Sequence, residues 1–219
     1  NKNDLYPEGI YSHFATADEG DLSYAESQLK QFNEIVEKGK SLGIDFNYVH
    51  CSNSGAILNL PNAYFNLIRV GMLLYGVPPS DEVPMDIPVE PVMSFCGPIV
   101  NVRRVKAGTQ VSYGGVYSTA VDTNIAVIQT GFADGFPRSW YKKGYVSYGG
   151  QNYKIAGRVC MDQLMVDFGD EVPKEGEEVL FFGKKDGNEI PVETIAKEIG
   201  TTTYVLLTAI HGRTQRIIL

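Results

Sequence analysis

Cysteine and histidine are scarce in this chain. Its three cysteines, Cys51, Cys96 and Cys160, are far apart, and no C-x-x-C occurs. With only three histidines, no zinc-ligand spacing emerges. An odd thiol count suits a reducing compartment with at most one bridge. Basic residues are also in short supply. Nineteen Lys and Arg face 26 Asp and Glu, for a net charge of −7 and a pI near 5.0. That charge argues against nucleic acid and against an anionic membrane surface as partners. Long apolar runs are missing, and the opening Asn-Lys-Asn-Asp-Leu-Tyr does not read as a signal peptide. The expectation is a soluble, cytoplasmic chain with no membrane contact from this segment. No P-loop, G-x-G-x-x-G, G-x-S-x-G or H-E-x-x-H is present, which leaves nucleotide, serine-hydrolase and metalloprotease chemistry without support.

Apolar residues are plentiful at 43%, enough for one large or two modest cores in 219 residues. Residues 8–16 read as a buried strand that ends in an acidic loop. Ser23 and Glu26 have capping-box spacing, and Ala25, Leu29, Phe32, Ile35, Val36 and Leu42 follow a helical period that Gly43 stops. Strands are expected at 46–49 and 67–74, with a short helix between them. This β-α-β-α-β order predicts parallel strands with right-handed crossovers, too few to close a barrel alone. Residues 77–91 hold five prolines and read as a linker. Beyond them, residues 93–105, 124–130, 144–148, 152–159, 164–168 and 178–182 read as strands. Gly149-Gly150 marks a hairpin, and 192–199 is a helix stopped by Gly200. A mostly antiparallel β domain follows from that pattern.

The chemistry-bearing residues gather around His50-Cys51-Ser52-Asn53-Ser54-Gly55, a polar elbow between a strand and a helix. Ser54 and the Gly55 backbone lie where a helix begins, a natural seat for a phosphate. Arg69 sits in an otherwise apolar stretch. A guanidinium stays charged when buried, so it needs an acceptor, either His50 or a ring nitrogen of a ligand. Taken alone, such a pair is most simply a core histidine and a structural arginine.

Further motifs occur in order: H-F-A-T-A-D from His13, I-R-V-G-M-L-L-Y-G around Arg69, V-S-Y-G from Val111, A-D-G-F-P-R from Ala133 and G-R-V-C-M-D from Gly157. Together with the elbow they resemble the alanine racemases, the fold type III enzymes that use pyridoxal 5'-phosphate. The resemblance covers only the C-terminal part of that family; the segment carrying the cofactor lysine has no counterpart here. It implies an α/β plus mostly-β chain: the last strands of a (β/α)₈ barrel in 1–80, then an antiparallel β domain in 88–219.

By the same resemblance Tyr113 is the catalytic acid/base. His50, Asn53, Ser54, Arg69, Gly71 and Met72 hold the cofactor, and Met161 meets the substrate. His13 is the expected partner of Tyr113. Asp18, Phe132, Arg138, Cys160, Asp162 and Gly212 fall at the entrance or behind it. Arg138 reads equally well as a surface arginine after a proline turn. Phe132 and Gly212 depart from the family, since both stand where many relatives carry tyrosine. The implied reaction removes the α-proton of a small amino acid and returns it on the opposite face, supplying D-alanine for bacterial cell-wall precursors. The implied assembly is a homodimer with shared active sites. Two alternatives stand beside it: serine racemisation, favoured by Gly212, and a non-catalytic racemase-like fragment.

Overall fold

A computed structural model describes residues 6–218, so most of the N-terminal leader reading lies outside the described residues. The chain is mixed α/β with a large antiparallel sheet. It divides into two compact units, Asn1–Glu90 and Pro91–Leu219. No helix among the described residues is long and apolar enough to cross a membrane.

In the first unit, β1 (Gly9–Tyr11) and β2 (Tyr48–His50) pair in parallel, with Tyr11 opposite His50. Both strands are shorter than the sequence suggests, and β1 exposes Tyr11 at 72%. Helix α1 (Ser23–Ser41) makes the crossover and buries Ala25, Phe32 and Val36, whereas Ile35 and Leu42 face outward. The expected capping box does not form. Ser23 lies inside the first turn, and Asp21 Oδ1 accepts from its N–H at 2.9 Å. An ionised carboxylate is the stronger acceptor, and that bond holds the Asp21 carboxyl below the usual range. Gly43, at φ +75°, ends the helix as expected.

Helix α2 (Ser54–Asn59) follows the elbow, with Asn53 Oδ1 accepting from Ala56 N at 3.0 Å as its N-cap. The expected strand at 67–74 is not there. Residues 67–70 are irregular, with Arg69 N donating to Ser52 O at 3.0 Å, and a 3-10 turn spans Met72–Tyr75. Ser54 Oγ accepts from Gly71 N at 3.1 Å and Leu73 N at 3.4 Å, taking donors that a ladder would have used. Residues 77–91 contain no helix or strand, and residues 77–83 are anchored within the first unit. Val77 and Val83 are buried, Ser80 Oγ donates to Asp18 O, and Glu82 Oε2 accepts from Gly20 N at 2.7 Å.

The second unit is built on β3 (Phe95–Val105), β6 (Thr123–Ile128), β7 (Tyr145–Tyr148), β8 (Gln151–Ile155), β9 (Leu164–Asp167), β10 (Glu178–Lys185) and β11 (Asn188–Ile190). Their order is β11-β10-β3-β6-β9-β8-β7, every pair antiparallel. A further pairing of β10 with β7, Leu180 opposite Ser147, joins the ends, so six strands from β10 round to β7 close into a ring. Within the ring every strand has a neighbour on both sides, and β11 is left as the edge strand on β10. Gly149 and Gly150, both at positive φ, make the β7–β8 turn that the sequence predicts. β10 is buried without alternation from Val179 to Gly183, as suits a strand covered on both faces. Phe95, Phe136, Phe181 and Phe182 meet ring to ring at 4.8–5.6 Å. Each such side chain contributes roughly 1.5–3 kcal/mol on burial. A small hairpin, β4 (Gln110–Val111) and β5 (Tyr117–Ser118), stands outside the ring, and α3 (Val192–Ile199) and α4 (Thr203–Ala209) complete the unit.

Candidate functional site

The site residues fall into two groups, one in each unit. In the first unit the ends of β1 and β2 carry Ser12, His13, His50 and Cys51 to one place. Arg69 reaches across them. Its Nη1 lies 2.5 Å from His50 Nδ1, and its Nη2 donates to Ser12 O at 2.8 Å and contacts His13 Nδ1 at 3.1 Å and Cys51 O at 3.4 Å. A guanidinium only donates, so His50 Nδ1 must accept and the His50 proton sits on Nε2. Burial, then the Arg69 charge, lowers the His50 pKa and keeps the ring neutral. Tyr11 stacks on His50 at 5.5 Å, with the guanidinium 5.8 Å from its ring centre. Sequence reasoning missed Tyr11, one exposed tyrosine among 13.

Arg69 pairs with no carboxylate among the described residues; its partners are neutral. The charge is therefore left for an anionic or acceptor ligand. In the same unit Ser54 Oγ ties the start of α2, which Asn53 caps, to the Gly71–Leu73 turn that contains Met72. Gly71 is open, with only Ser54 Oγ at 3.7 Å from an added Cβ. Gly55 is the opposite case: an added Cβ would lie 2.7 Å from Ala17 O and 2.8 Å from Asp18 N, so glycine lets the His13–Asp18 loop seat on α2. His13 was expected beside Tyr113. Within its own unit its ring nitrogens face Arg69 at 3.1 Å and Asn53 Nδ2 at 3.4 Å. Both neighbours are donors and a neutral imidazole accepts once, so the shorter contact is the bond. Burial pushes the Cys51 thiol up to about 11, against the pull of Arg69, so it stays protonated.

In the second unit a cavity of about 700 Å³ is lined by Ser112, Tyr113, Gly114, Cys160, Met161, Asp162 and Gln163. It brings Tyr113 together with Cys160, Met161 and Asp162. Tyr113 is 72% exposed on the turn between β4 and β5. Burial raises the Cys160 pKa. Phe132 opens the next turn, whose N–H groups at Phe132 and Ala133 donate to Cys160 O and Met161 O, both at 3.0 Å. Gly131 permits that approach, since an added Cβ would lie 2.2 Å from Met161 O. Arg138 stands with its guanidinium 5.6 Å from the Phe132 ring centre.

Arg213 was not singled out by sequence. It binds Asp134 at 2.6 and 3.2 Å and Asp162 at 2.6 Å, across 79 and 51 residues. Its charge is fully used, and its pKa is raised further by both carboxylates. It ties the tail to the Phe132 turn and to the Met161–Asp162 wall. Gly212 precedes it at φ +71° with nothing within 4 Å of an added Cβ. Among the described residues no cluster of three or more His, Cys, Asp or Glu is arranged to hold a metal.

The family described as "Alanine racemase, N-terminal domain" matches residues 1–79, and "Alanine racemase, C-terminal domain" matches 92–218. The alanine racemase of Desulforamulus reducens is 43% identical over 218 residues, covering 98% of this chain and 58% of that protein. The chain thus spans little more than half the length of the curated relatives it matches. The solved alanine racemase of Streptomyces coelicolor A3(2) superposes with a TM-score of 0.93 at 37% identity, over 99% of this chain and 57% of that one. The alanine racemase of Bartonella henselae, described with covalently bound pyridoxal phosphate, superposes at 0.84 with 29% identity, over 96% of this chain and 56% of its own.

Proposed function

The chain belongs to the alanine racemase family, and on that premise we propose that it forms part of an enzyme that interconverts L- and D-alanine with pyridoxal 5'-phosphate. Residues 1–80 are read as the last part of a (β/α)₈ barrel and 88–219 as the β domain. The working form is read as a cytoplasmic homodimer with shared sites, feeding cell-wall synthesis. The relatives found carry alanine in their names, so the serine alternative drawn from Gly212 is withdrawn.

The observation that carries the reading is Arg69, a fixed guanidinium with neutral partners and no carboxylate. Its surroundings fit the cofactor: the Ser54 hydroxyl, which accepts from Gly71 N and Leu73 N and keeps its own O–H, would with the Met72 N–H supply uncharged donors for a phosphate, and Arg69 would supply a permanent donor for a ring nitrogen. Arginine does not give up its proton, so a ring nitrogen bonded to it stays neutral. When bound, the cofactor withdraws electrons from the substrate and loosens its α-proton. Tyr113 Oη accepts or returns that proton on one face. The family lysine, which the resemblance places upstream of this chain, serves the other. Met161 and Asp162 line the wall beside Tyr113.

The test is polarimetry with the holoenzyme that contains this chain. L-alanine should lose its rotation completely, and Tyr113→Phe should slow this by about 10²–10⁴-fold while cofactor absorbance persists. Rotation that stays constant with the parent enzyme would defeat the reading.

A further inference from the structure

We propose that Ser112 is a positioning residue that aims Tyr113 by holding a strained backbone in place. This rests on the reading of Tyr113 as the acid/base. The Tyr113 hydroxyl makes no hydrogen bond among the described residues, so nothing at its tip fixes its direction. The backbone must do so. Ser112, immediately before it, has φ +70° and ψ 173°. That region is nearly closed to residues with a Cβ, and glycine alone enters it freely.

A serine kept there needs compensation, and the structure supplies it. Ser112 Oγ donates to Arg158 O at 2.9 Å. Gly157 makes room: an added Cβ there would lie 2.6 Å from Ser112 Cβ and 3.0 Å from Val111 O. Ser112 O accepts from Gly115 N at 3.1 Å, closing the turn that carries Tyr113. The far side of the hairpin is pinned as well. Val111 pairs with Tyr117, whose hydroxyl donates to Asp167 Oδ2 at 2.5 Å. The hydroxyl of Ser112 is thus the clasp between the Tyr113 turn and the Arg158 loop that leads to Met161.

The experiment compares Ser112→Ala, Ser112→Gly and Tyr113→Phe in the holoenzyme. Alanine at 112 loses the clasp but keeps the strain, so the turn relaxes away. Glycine loses the clasp but can still occupy the aimed conformation. The expected order of kcat is therefore parent, then Gly, then Ala, with Ala down ~10- to 100-fold and KM nearly unchanged. A packing role gives the reverse order, Ala above Gly. Two further readouts accompany it. Amide hydrogen exchange across 112–116 should quicken in both variants. Deuterium washout from the α-carbon should fall more for one enantiomer than for the other. Parent-like kcat in Ser112→Ala, Ala at or above Gly, or equal losses for both enantiomers would each overturn the proposal while a severe Tyr113→Phe defect leaves the functional reading intact. If Tyr113→Phe itself racemises normally, both fall.

Discussion

Arg69 and Arg213 are each held by several side chains or carbonyls, yet their charges are treated in opposite ways. Arg69 meets two histidine nitrogens and two backbone oxygens, all neutral. Arg213 meets two carboxylates, one of them, Asp134, nearly buried at 14% exposure. The first arrangement fixes a cation without cancelling it, which leaves the charge for a ligand. The second spends the cation on joining three stretches of chain. The kind of partner, more than the number of bonds, separates a ligand-facing arginine from a brace.

Charge reversal should split the two most sharply. Arg213→Glu places three carboxylates together, and the melting temperature should fall by about 5 °C or more. Calorimetry reads this directly. Arg69→Glu should lower melting less, because it loses bonds to neutral partners and joins no carboxylate cluster. It should weaken cofactor binding and raise transamination relative to racemisation, because a carboxylic acid can protonate a ring nitrogen where arginine cannot. Product analysis by chiral chromatography gives the ratio, and a ratio equal to the parent's would place Arg69 away from the ring.

A smaller effect is expected from Arg213→Lys. Lysine keeps the charge but not the fork that grips two carboxylates, so melting should drop by only about 1–2 °C. A drop as large as that of Arg213→Glu would show that geometry, and not charge, is the brace. Smaller still is a change in titration. The His50 pKa lies below its ordinary 6.5 through burial first and Arg69 second. A depressed histidine pKa stabilises the folded form above 6.5 and loses that contribution as pH falls through the folded value. In Arg69→Gln the His50 resonance should titrate higher than in the parent, yet still below 6.5, since burial remains. An unmoved midpoint by NMR would separate the two side chains.

These contrasts also mark what the sequence could disclose. Helix α3 and the Gly149-Gly150 turn were readable because their signals are local: a 3.6-residue period with a glycine stop, and two adjacent glycines between strands. The elbow from His50 to Gly55 was readable for the same reason. The stretch at 67–74 was not. Its apolar run fits a strand equally well, and only Ser54, 17 residues upstream of Gly71, decides that its N–H groups turn elsewhere. Asp21 displaced the Ser23 capping box because the choice between a carboxylate and a hydroxyl depends on chain direction at the cap. Arg213 was hidden by its 79- and 51-residue separations from Asp134 and Asp162. The strain at Ser112 leaves no trace in composition at all.

The most direct test titrates pyridoxal phosphate into the cofactor-stripped enzyme for the parent, Arg69→Gln and Arg213→Gln, following cofactor absorbance. Arg69→Gln should bind at least ~10-fold more weakly, the scale of one lost charge-assisted bond, and Arg213→Gln should bind as the parent does. Equal weakening in both variants, or none in Arg69→Gln, would contradict the division between a ligand-facing arginine and a bracing one.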